Sequence, residues 1–402
     1  MINLFQERGN AFLRLLDRYM GIPLVLLLSL FRKKKDFGRR PQRPQSIVFF
    51  KMSGIGDSIL TLPFIQKLRN TYQDIEITVV CGKNNQVVYQ KLLDKKYVSK
   101  VISLDLSRFI YDWNYLRKKI KELRGLRYDY CVDFEPWSRI SAFLSFLMKG
   151  NYKIGFRTER QYKHMLFDHY EVHQDTKHEF ENYKMLTSAI IDQVQGVPTY
   201  PVAAQDSFYF KDFMDKHDIQ EYIIFHPWAS GYKNTLKELD KGAITYICNN
   251  LAAKGYTIIF TGGPADKDKS EALTSYIDRS YSIAGKTHLN ETAVFLKNAD
   301  CVITVNTGVL HLAAAVGANL VSINGPTDIN RWGPLCEQAI NIKSSLHCSP
   351  CLDLGFEYKC KEHNVPEGYC MKKIDLDEVV NTAVRIIRGS EPADTQKGLE
   401  KP

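Results

Sequence analysis

The stretch FFKMSGIGDSILTLPF, Phe49 to Phe64, joins an apolar run to a helix through a glycine-bearing turn. Ile47, Val48, Phe49 and Phe50 are β-branched or aromatic, the residue types that suit a buried pleated strand. Strand–turn–helix junctions of this kind usually hold a phosphate on the free amides of the helix start. Here Asp57 stands where the phosphate would sit, and a carboxylate repels it. Two roles remain for Asp57: a helix N-cap, which Asp fills well, or a carboxylate placed to take a proton.

The same alternation runs outward along the chain. Strands are expected at Ser46–Lys51, Glu76–Cys81, Lys100–Leu104, Tyr128–Phe134 and Lys153–Phe156, with helices between them, including Arg108–Leu123 and Trp137–Lys149. A polar helix, His178–Gln193, and the segment QGVPTYPVAAQD (Gln195–Asp206) interrupt the rhythm and mark a domain junction. It resumes with strands at Tyr222–His226, Thr257–Thr261, Cys301–Val305 and Leu320–Asn324, and with helices at Lys237–Lys254, Asp266–Ile277, Leu289–Asn298 and Leu310–Val316. The fold class is therefore α/β, with two Rossmann-like domains and ligands expected at the carboxyl ends of the strands, in a cleft between the halves. The boundaries read as 1–45 for an N-terminal segment, 46–200 and 201–389 for the two domains, and 390–402 for a polar, flexible tail.

With 402 residues, 44% hydrophobic and 25% charged, the chain has the composition of an ordinary globular protein of two domains. Much of its formal +9 charge lies near the start: Arg14, Arg18, Arg32, Lys33, Lys34, Lys35, Arg39, Arg40 and Arg43. Between the first two clusters lies MGIPLVLLLSLF (Met20–Phe31), shorter than the roughly 20 residues a spanning helix needs and interrupted by Pro23. No small-residue cleavage site follows, which argues against a signal peptide. Leu4, Phe5, Phe12, Leu15, Leu16 and Tyr19 fall near helical spacing, so residues 1–45 read as an interfacial helical segment, with lysines and arginines on anionic headgroups. The alternative is that Leu24–Leu28 packs on the rest of the fold. A membrane surface, not nucleic acid, is the partner expected for this charge.

The second half holds the better anion site. VITVNTGVLHLAAAVG (Val302–Gly317) gives a strand, a short polar turn and an Ala-rich helix. Thr307 and Gly308 fall at the helix start with free amides and a hydroxyl, and His311 lies one turn on. HPWASGYK (His226–Lys233) brings Ser230 and Lys233 to another strand end, and TGGPADKDK (Thr261–Lys269) brings Gly262, Gly263 and Asp266 to a third. Lysine suits a diphosphate, and the carboxylate suits ribose hydroxyls. Each loop alone also reads as ordinary solvated surface; together they point to a nucleotide diphosphate.

KMSGIGDSILTLP (Lys51–Pro63), HPWASGYK, AGKTHLNETAVFLKNADCVITVNTGVLHLAAAVG, and NGPT with RWGP (Asn324–Pro334) together resemble glycosyltransferase family 9, which includes the heptosyltransferases of lipopolysaccharide core assembly. KIGF (Lys153–Phe156) and HEFENYKML (His178–Leu186) look like that family's linking region. The resemblance spans about Ser46 to Arg388 in the family's order. It implies a GT-B fold and an inverting, metal-independent transfer from a nucleotide sugar, ADP-heptose by family. The first domain would take a lipid-linked saccharide acceptor and the second the donor, with no cofactor needed for catalysis. It further implies that Asp57 is the general base, and that Ser230, Lys233, Gly263, Asp266, Asn306, Thr307, Gly308 and His311 serve the donor. Peripheral placement at the inner face of the bacterial inner membrane goes with it. Two departures lie in the donor half: Asn306 stands where many members have Asp, and Thr235-Leu236 replace a Trp-Pro pair.

Arg139, Arg157, Arg160 and Lys163 follow strand ends or loops of the first half and suit the phosphates or carboxylates of an anionic acceptor, although each also reads as a surface charge. Cys81, Cys131, Cys248 and Cys301 lie in apolar context and read as reduced core thiols. Within residues 347–371, Cys348, Cys351, Cys360 and Cys370 have zinc-like composition, and a structural metal, disulfides and free thiols all stay open. Two other functions are consistent with parts of the pattern. A dinucleotide-dependent oxidoreductase would need the third glycine that Gly54 and Gly56 lack, and a membrane-bound sugar-binding scaffold would tolerate Asn306.

Overall fold

The computed structural model describes residues 17–389 apart from 53, 193, 232, 354–356, 359 and 361–363. The spacing of Leu4, Phe5, Phe12, Leu15 and Leu16, the charge of Arg14, and the tail from Ser390 lie outside the described residues. The chain divides between Pro198 and Thr199 into two units.

In the first unit, helix α1 (Ile22–Leu30) precedes the sheet. Strands β1 (Ser46–Lys51), β2 (Glu76–Gly82), β3 (Lys100–Leu104), β4 (Tyr130–Asp133), β5 (Tyr152–Arg157) and β6 (His169–Val172) then pair in parallel in the order 3-2-1-4-5-6. The chain works outward from β1 to β3, then returns to the other side of β1 with β4. This places a topological switch point between β1 and β4. Strand β1 is followed by the short helix α2 (Ile55–Leu60), β4 by α3 (Arg139–Leu147), and β6 by α4 (Glu179–Thr187). Gly82 lets the ends of β1 and β2 close up, since a Cβ there would lie 2.1 Å from the Met52 carbonyl oxygen.

The second unit repeats the plan. Its strands β7 (Tyr222–His226), β8 (Thr257–Phe260), β9 (Ser280–Ser282), β10 (Cys301–Val305), β11 (Leu320–Asn324) and β12 (Ala339–Lys343) pair in parallel in the order 12-11-10-7-8-9. That is the order of the first sheet again, with its switch point between β7 and β10. Helix α5 (Lys241–Ala252) covers the sheet with Ile244, Ile247 and Leu251; α6 (Leu289–Asn298) and α7 (Gly308–Ala315) flank β10, and α8 (Leu376–Ile387) adds Val379, Val380 and Ala383. Each such side chain contributes about 1.5–3 kcal/mol on full burial, so both faces of the parallel sheet must be covered, as they are.

Three differences from the sequence reading have physical causes. Strands β6, β9 and β12 were not expected; all three are sheet edges, where HYEV, SYS and AINIK need no continuous apolar run. The helix expected over Arg108–Leu123 is two helices, Arg108–Tyr111 and Trp113–Gly125. Asp112 breaks it by capping the second one on the Tyr115 amide at 2.9 Å. Pro23 does not interrupt α1, because it sits in the first turn, where a missing amide proton costs nothing.

Residues 17–40 are tied to the first unit rather than trailing from it. Val25 is buried against Ala142, Leu166 and Phe167. Asp17 pairs with Arg139, and Arg32 Nη2 lies 2.5 Å from the buried Asp168 carboxylate, which also accepts from the amides of Lys35 and Lys153. The outer side of the segment is apolar: Leu27 is 53% exposed, Leu30 79% and Phe31 74%. Among the described residues, no helix is long and apolar enough to cross a membrane.

His173, just past β6, is buried between the edges of Trp137 and Phe156. Its Nε2 lies 3.0 Å from Glu179 Oε2 and its Nδ1 3.2 Å from Asp175 Oδ1. Burial alone would lower its pKa, but the two carboxylates outweigh burial and raise it to about 9. The imidazolium therefore stabilises the fold fully below the unfolded value of about 6.5. That contribution is lost as pH rises through about 9. His173→Gln should flatten the alkaline decline of the melting temperature between these limits, which thermal unfolding across pH will measure.

Candidate active site

The switch point of the first unit gathers charge. Gly54, at φ 80°, is the N-cap of α2, a left-handed conformation that favours glycine. Asp57 is thus not the N-cap. It lies at the third position of the helix, 8% exposed, where its charge suits the positive helix end. The Lys51 side chain at the end of β1 is 2% exposed, with Nζ 3.7 Å from Asp57 Oδ2 and 3.3 Å from Glu135 Oε1. Glu135 Oε1 also accepts from the Met52 amide at 2.7 Å. The backbone of the turn is held from the side by Asn85, which donates to the Lys51 carbonyl and to Ser58 Oγ, while Ser58 Oγ donates to the Gly54 carbonyl. Tyr183 of α4 is fully buried beside this group; burial, together with Glu179, Asp57 and Glu135, keeps its phenol neutral by raising its pKa well above the ordinary value.

Of the four basic residues expected to serve an acceptor, two are structural ties. Lys163 is fully buried, 3.0 Å from Asp133 Oδ2, and donates to the carbonyls of Glu135 and Ser138. These three acceptors match the three protons of an ammonium. Arg139 is spent on Asp17 and on the carbonyls of Gln161 and Arg160. Sequence reading missed this because the partners lie far along the chain. Arg157 and Arg160 are exposed at the carboxyl end of β5 and in the loop after it; Arg160 contacts Glu159 at 3.3 Å.

In the second unit Thr307 is the extended N-cap of α7, and Gly308 opens the helix. Thr307 Oγ1 is shielded from solvent and bonds to no protein atom among the described residues. His311, one turn on, is buried. Asn306 is buried at the end of β10, where its Nδ2 donates to Asn324 Oδ1 and to the Trp332 carbonyl, both at 3.0 Å. Asn324 in turn donates to the Ser322 carbonyl and Oγ. An amide is therefore what this position requires, and the departure from Asp has a local reason.

The remaining donor residues follow β7 and β8. Ser230 is exposed. Lys233 takes a left-handed backbone at φ 52° and places Nζ 2.6 Å from Glu367 Oε1 in the cysteine-rich segment. Asp266 closes its own turn, accepting from the Gly263 amide and pairing with Lys269, both at 2.9 Å. His226, unassigned by the sequence reading, is buried at the end of β7 and lies 3.0 Å through Nδ1 from the Thr261 carbonyl. Burial lowers its pKa and favours the neutral ring.

Cys348, Cys351, Cys360 and Cys370 are buried free thiols. Burial pushes Cys370 up to about 12, and the other three add to it. Among the described residues no three His, Cys, Asp or Glu side chains assemble to hold a metal ion. The core thiols Cys81, Cys131, Cys248 and Cys301 are likewise buried and free.

Two Rossmann-like units of the same strand order define the GT-B class of glycosyltransferases, and solved structures of that kind share this fold. A family 9 glycosyltransferase from Veillonella parvula matches with TM-score 0.69 at 18% identity, over 86% of this chain and 98% of that one. The Escherichia coli "ADP-heptose lps heptosyltransferase II" matches with TM-score 0.64 at 18% identity, over 86% and 100%. Among sequence relatives, "Lipopolysaccharide heptosyltransferase 3" of Escherichia coli is 26% identical over 301 residues, 71% of this chain and 85% of its own. Residues 116–362, more than half the chain, match "Glycosyltransferase family 9 (heptosyltransferase)", and the protein belongs to that family. It is a glycosyltransferase, and the oxidoreductase reading falls away.

Asn306→Asp should destabilise the second unit by about 1–3 kcal/mol, because a carboxylate would face two acceptors it cannot bond. Denaturant unfolding of the variant will measure the loss.

Proposed function

We propose that this enzyme transfers heptose from ADP-heptose to a lipid-linked saccharide of the lipopolysaccharide core, with inversion, and that Asp57 is the general base. The observation that carries the reading is Asp57 itself: a nearly buried carboxylate at the switch point of the first sheet, balanced by Lys51. The names of the relatives support donor and acceptor class.

The chemistry asks little more of the chain. The acceptor hydroxyl attacks the anomeric carbon opposite the diphosphate; its proton passes to Asp57, the bond from that carbon to the diphosphate oxygen breaks, and ADP leaves. Charge growing on the leaving group needs donors already in place. In the second unit, the donor half of this reading, the start of α7 at Thr307 and Gly308 supplies amides and a hydroxyl, with His311 behind them. Lys233 supplies a cation, which a phosphate would take over from Glu367. Ser230, Gly263, Asp266 and Asn306 complete the donor set, with Asp266 acting through the turn it closes. The first unit takes the acceptor, whose anionic groups meet Arg157 and Arg160. No metal enters a step.

The apolar outer side of residues 19–31, followed by Lys33, Lys34 and Lys35, suits an anionic bilayer surface and supports docking at the inner face of the inner membrane.

Asp57→Asn should lower transfer from ADP-heptose by about 10²–10⁴-fold and leave the Kd for ADP unchanged by calorimetry. An equal loss of ADP binding would place Asp57 at the donor and defeat the assignment. Wild type inactive with ADP-heptose but active with another nucleotide sugar would overturn the donor alone. Leu27→Glu, Leu30→Glu and Phe31→Glu together should release the protein from phosphatidylglycerol vesicles in flotation without lowering its melting temperature; unchanged flotation would count against membrane docking.

A further inference from the structure

We infer that Lys51 is a positioning residue for Asp57, and that Glu135 regulates how much of the Lys51 charge reaches it. The inference rests on Asp57 being the base. A buried ammonium persists only if carboxylates or dipoles compensate it, and Lys51 has two carboxylates within 4 Å. They are not equivalent. Glu135 Oε1 is nearer, at 3.3 Å against 3.7 Å for Asp57 Oδ2.

Glu135 is itself held in place from two sides. Its carboxylate accepts from the Met52 amide, and its own amide donates to Asp133 Oδ1. Asp133 is held in turn by Lys163 and Ser141. Lys51 is therefore anchored from the Glu135 side and offers Asp57 a longer, weaker contact. A base paired closely with a cation of its own would be ionised but feeble; a base with no cation in this buried place would resist ionising at all. Sharing one ammonium between two carboxylates sets Asp57 between those limits.

The charged and titratable groups around it come from four other parts of the first unit. Lys51 lies at the end of β1, Glu135 lies after β4, and α4 contributes Glu179 and the neutral phenol of Tyr183. Tyr89, from the helix after β2, borders the same cluster and stays a neutral phenol.

The test is a pair of substitutions with opposite signatures. Lys51→Met leaves two carboxylates without their shared cation, so the acid limb of the pH–kcat profile should move up by about one pH unit. Glu135→Gln gives Lys51 wholly to Asp57, so the same limb should move down by about one pH unit, and kcat at neutral pH should fall by about tenfold. KM for ADP-heptose should change little in either. A reading independent of turnover comes from carboxyl ¹³C NMR of the free protein, with the Asp57 signal assigned by difference from Asp57→Asn. Its midpoint should move in the same two directions.

If Lys51→Met does not fold, Glu135→Gln alone decides. Midpoints unchanged from wild type, or moved the same way in both variants, would overturn the inference. Wild-type turnover in Asp57→Asn would instead sink the base assignment, whatever the NMR midpoints show.

Discussion

A sheet whose strands all run one way sends every strand exit to the same edge. Both units of this protein are built under that constraint, and their residues of chemical interest follow from it. Lys51 and Glu135 are far apart in sequence, yet leave adjacent strands side by side. Asn306 and Asn324 leave adjacent strands of the second sheet and bond to each other. At the switch point the chain has gone one way and come back, so no crossover connection lies over the gap between the two central strands. The carboxylate cluster of the first unit lies there, and so do His226 and the start of α7 in the second.

Charge placed at such an edge is partly buried, and burial decides its use. Removing one partner of a buried ion pair costs about 3–5 kcal/mol, so a fully buried pair such as Lys163 and Asp133 is committed to holding the fold. Arg139 is committed likewise, tying the N-terminal segment to the first unit through Asp17. Arg157 and Arg160, left at the surface, carry no such commitment. Lys51 is the intermediate case: as buried as Lys163, but with one of its two carboxylates at a helix start beside the strand ends.

Much of this was legible in the sequence. The central strands announced themselves as short apolar runs, because a parallel sheet buries both faces. Strands β1, β3, β7, β10 and β11 fall where the residue pattern puts them. The edge strands β6, β9 and β12 did not, since half-exposed strands need no such run. Asp57 and Thr307 were visible because each follows a strand within a few residues, which is local information. Glu135 and Tyr183 were not, because their relation to Asp57 exists only after β4 and α4 have been laid beside β1. Two arginine and lysine assignments failed for the same reason: the partners that occupy Arg139 and Lys163 are not sequence neighbours. The one available hint was Lys51 itself, a charged residue closing an otherwise apolar strand.

The amide chain from Asn306 through Asn324 to Ser322 has a direction, each nitrogen giving to the next oxygen. Reversing any single member opposes like to like, so the members are constrained as a set. Such an arrangement makes history matter. An acid at 306 would face the Asn324 Oδ1 and the Trp332 carbonyl oxygen, so a return to it calls for more than one change. The residues of the chain are substitutable only together, and exchanging one of them alone breaks the direction of the whole.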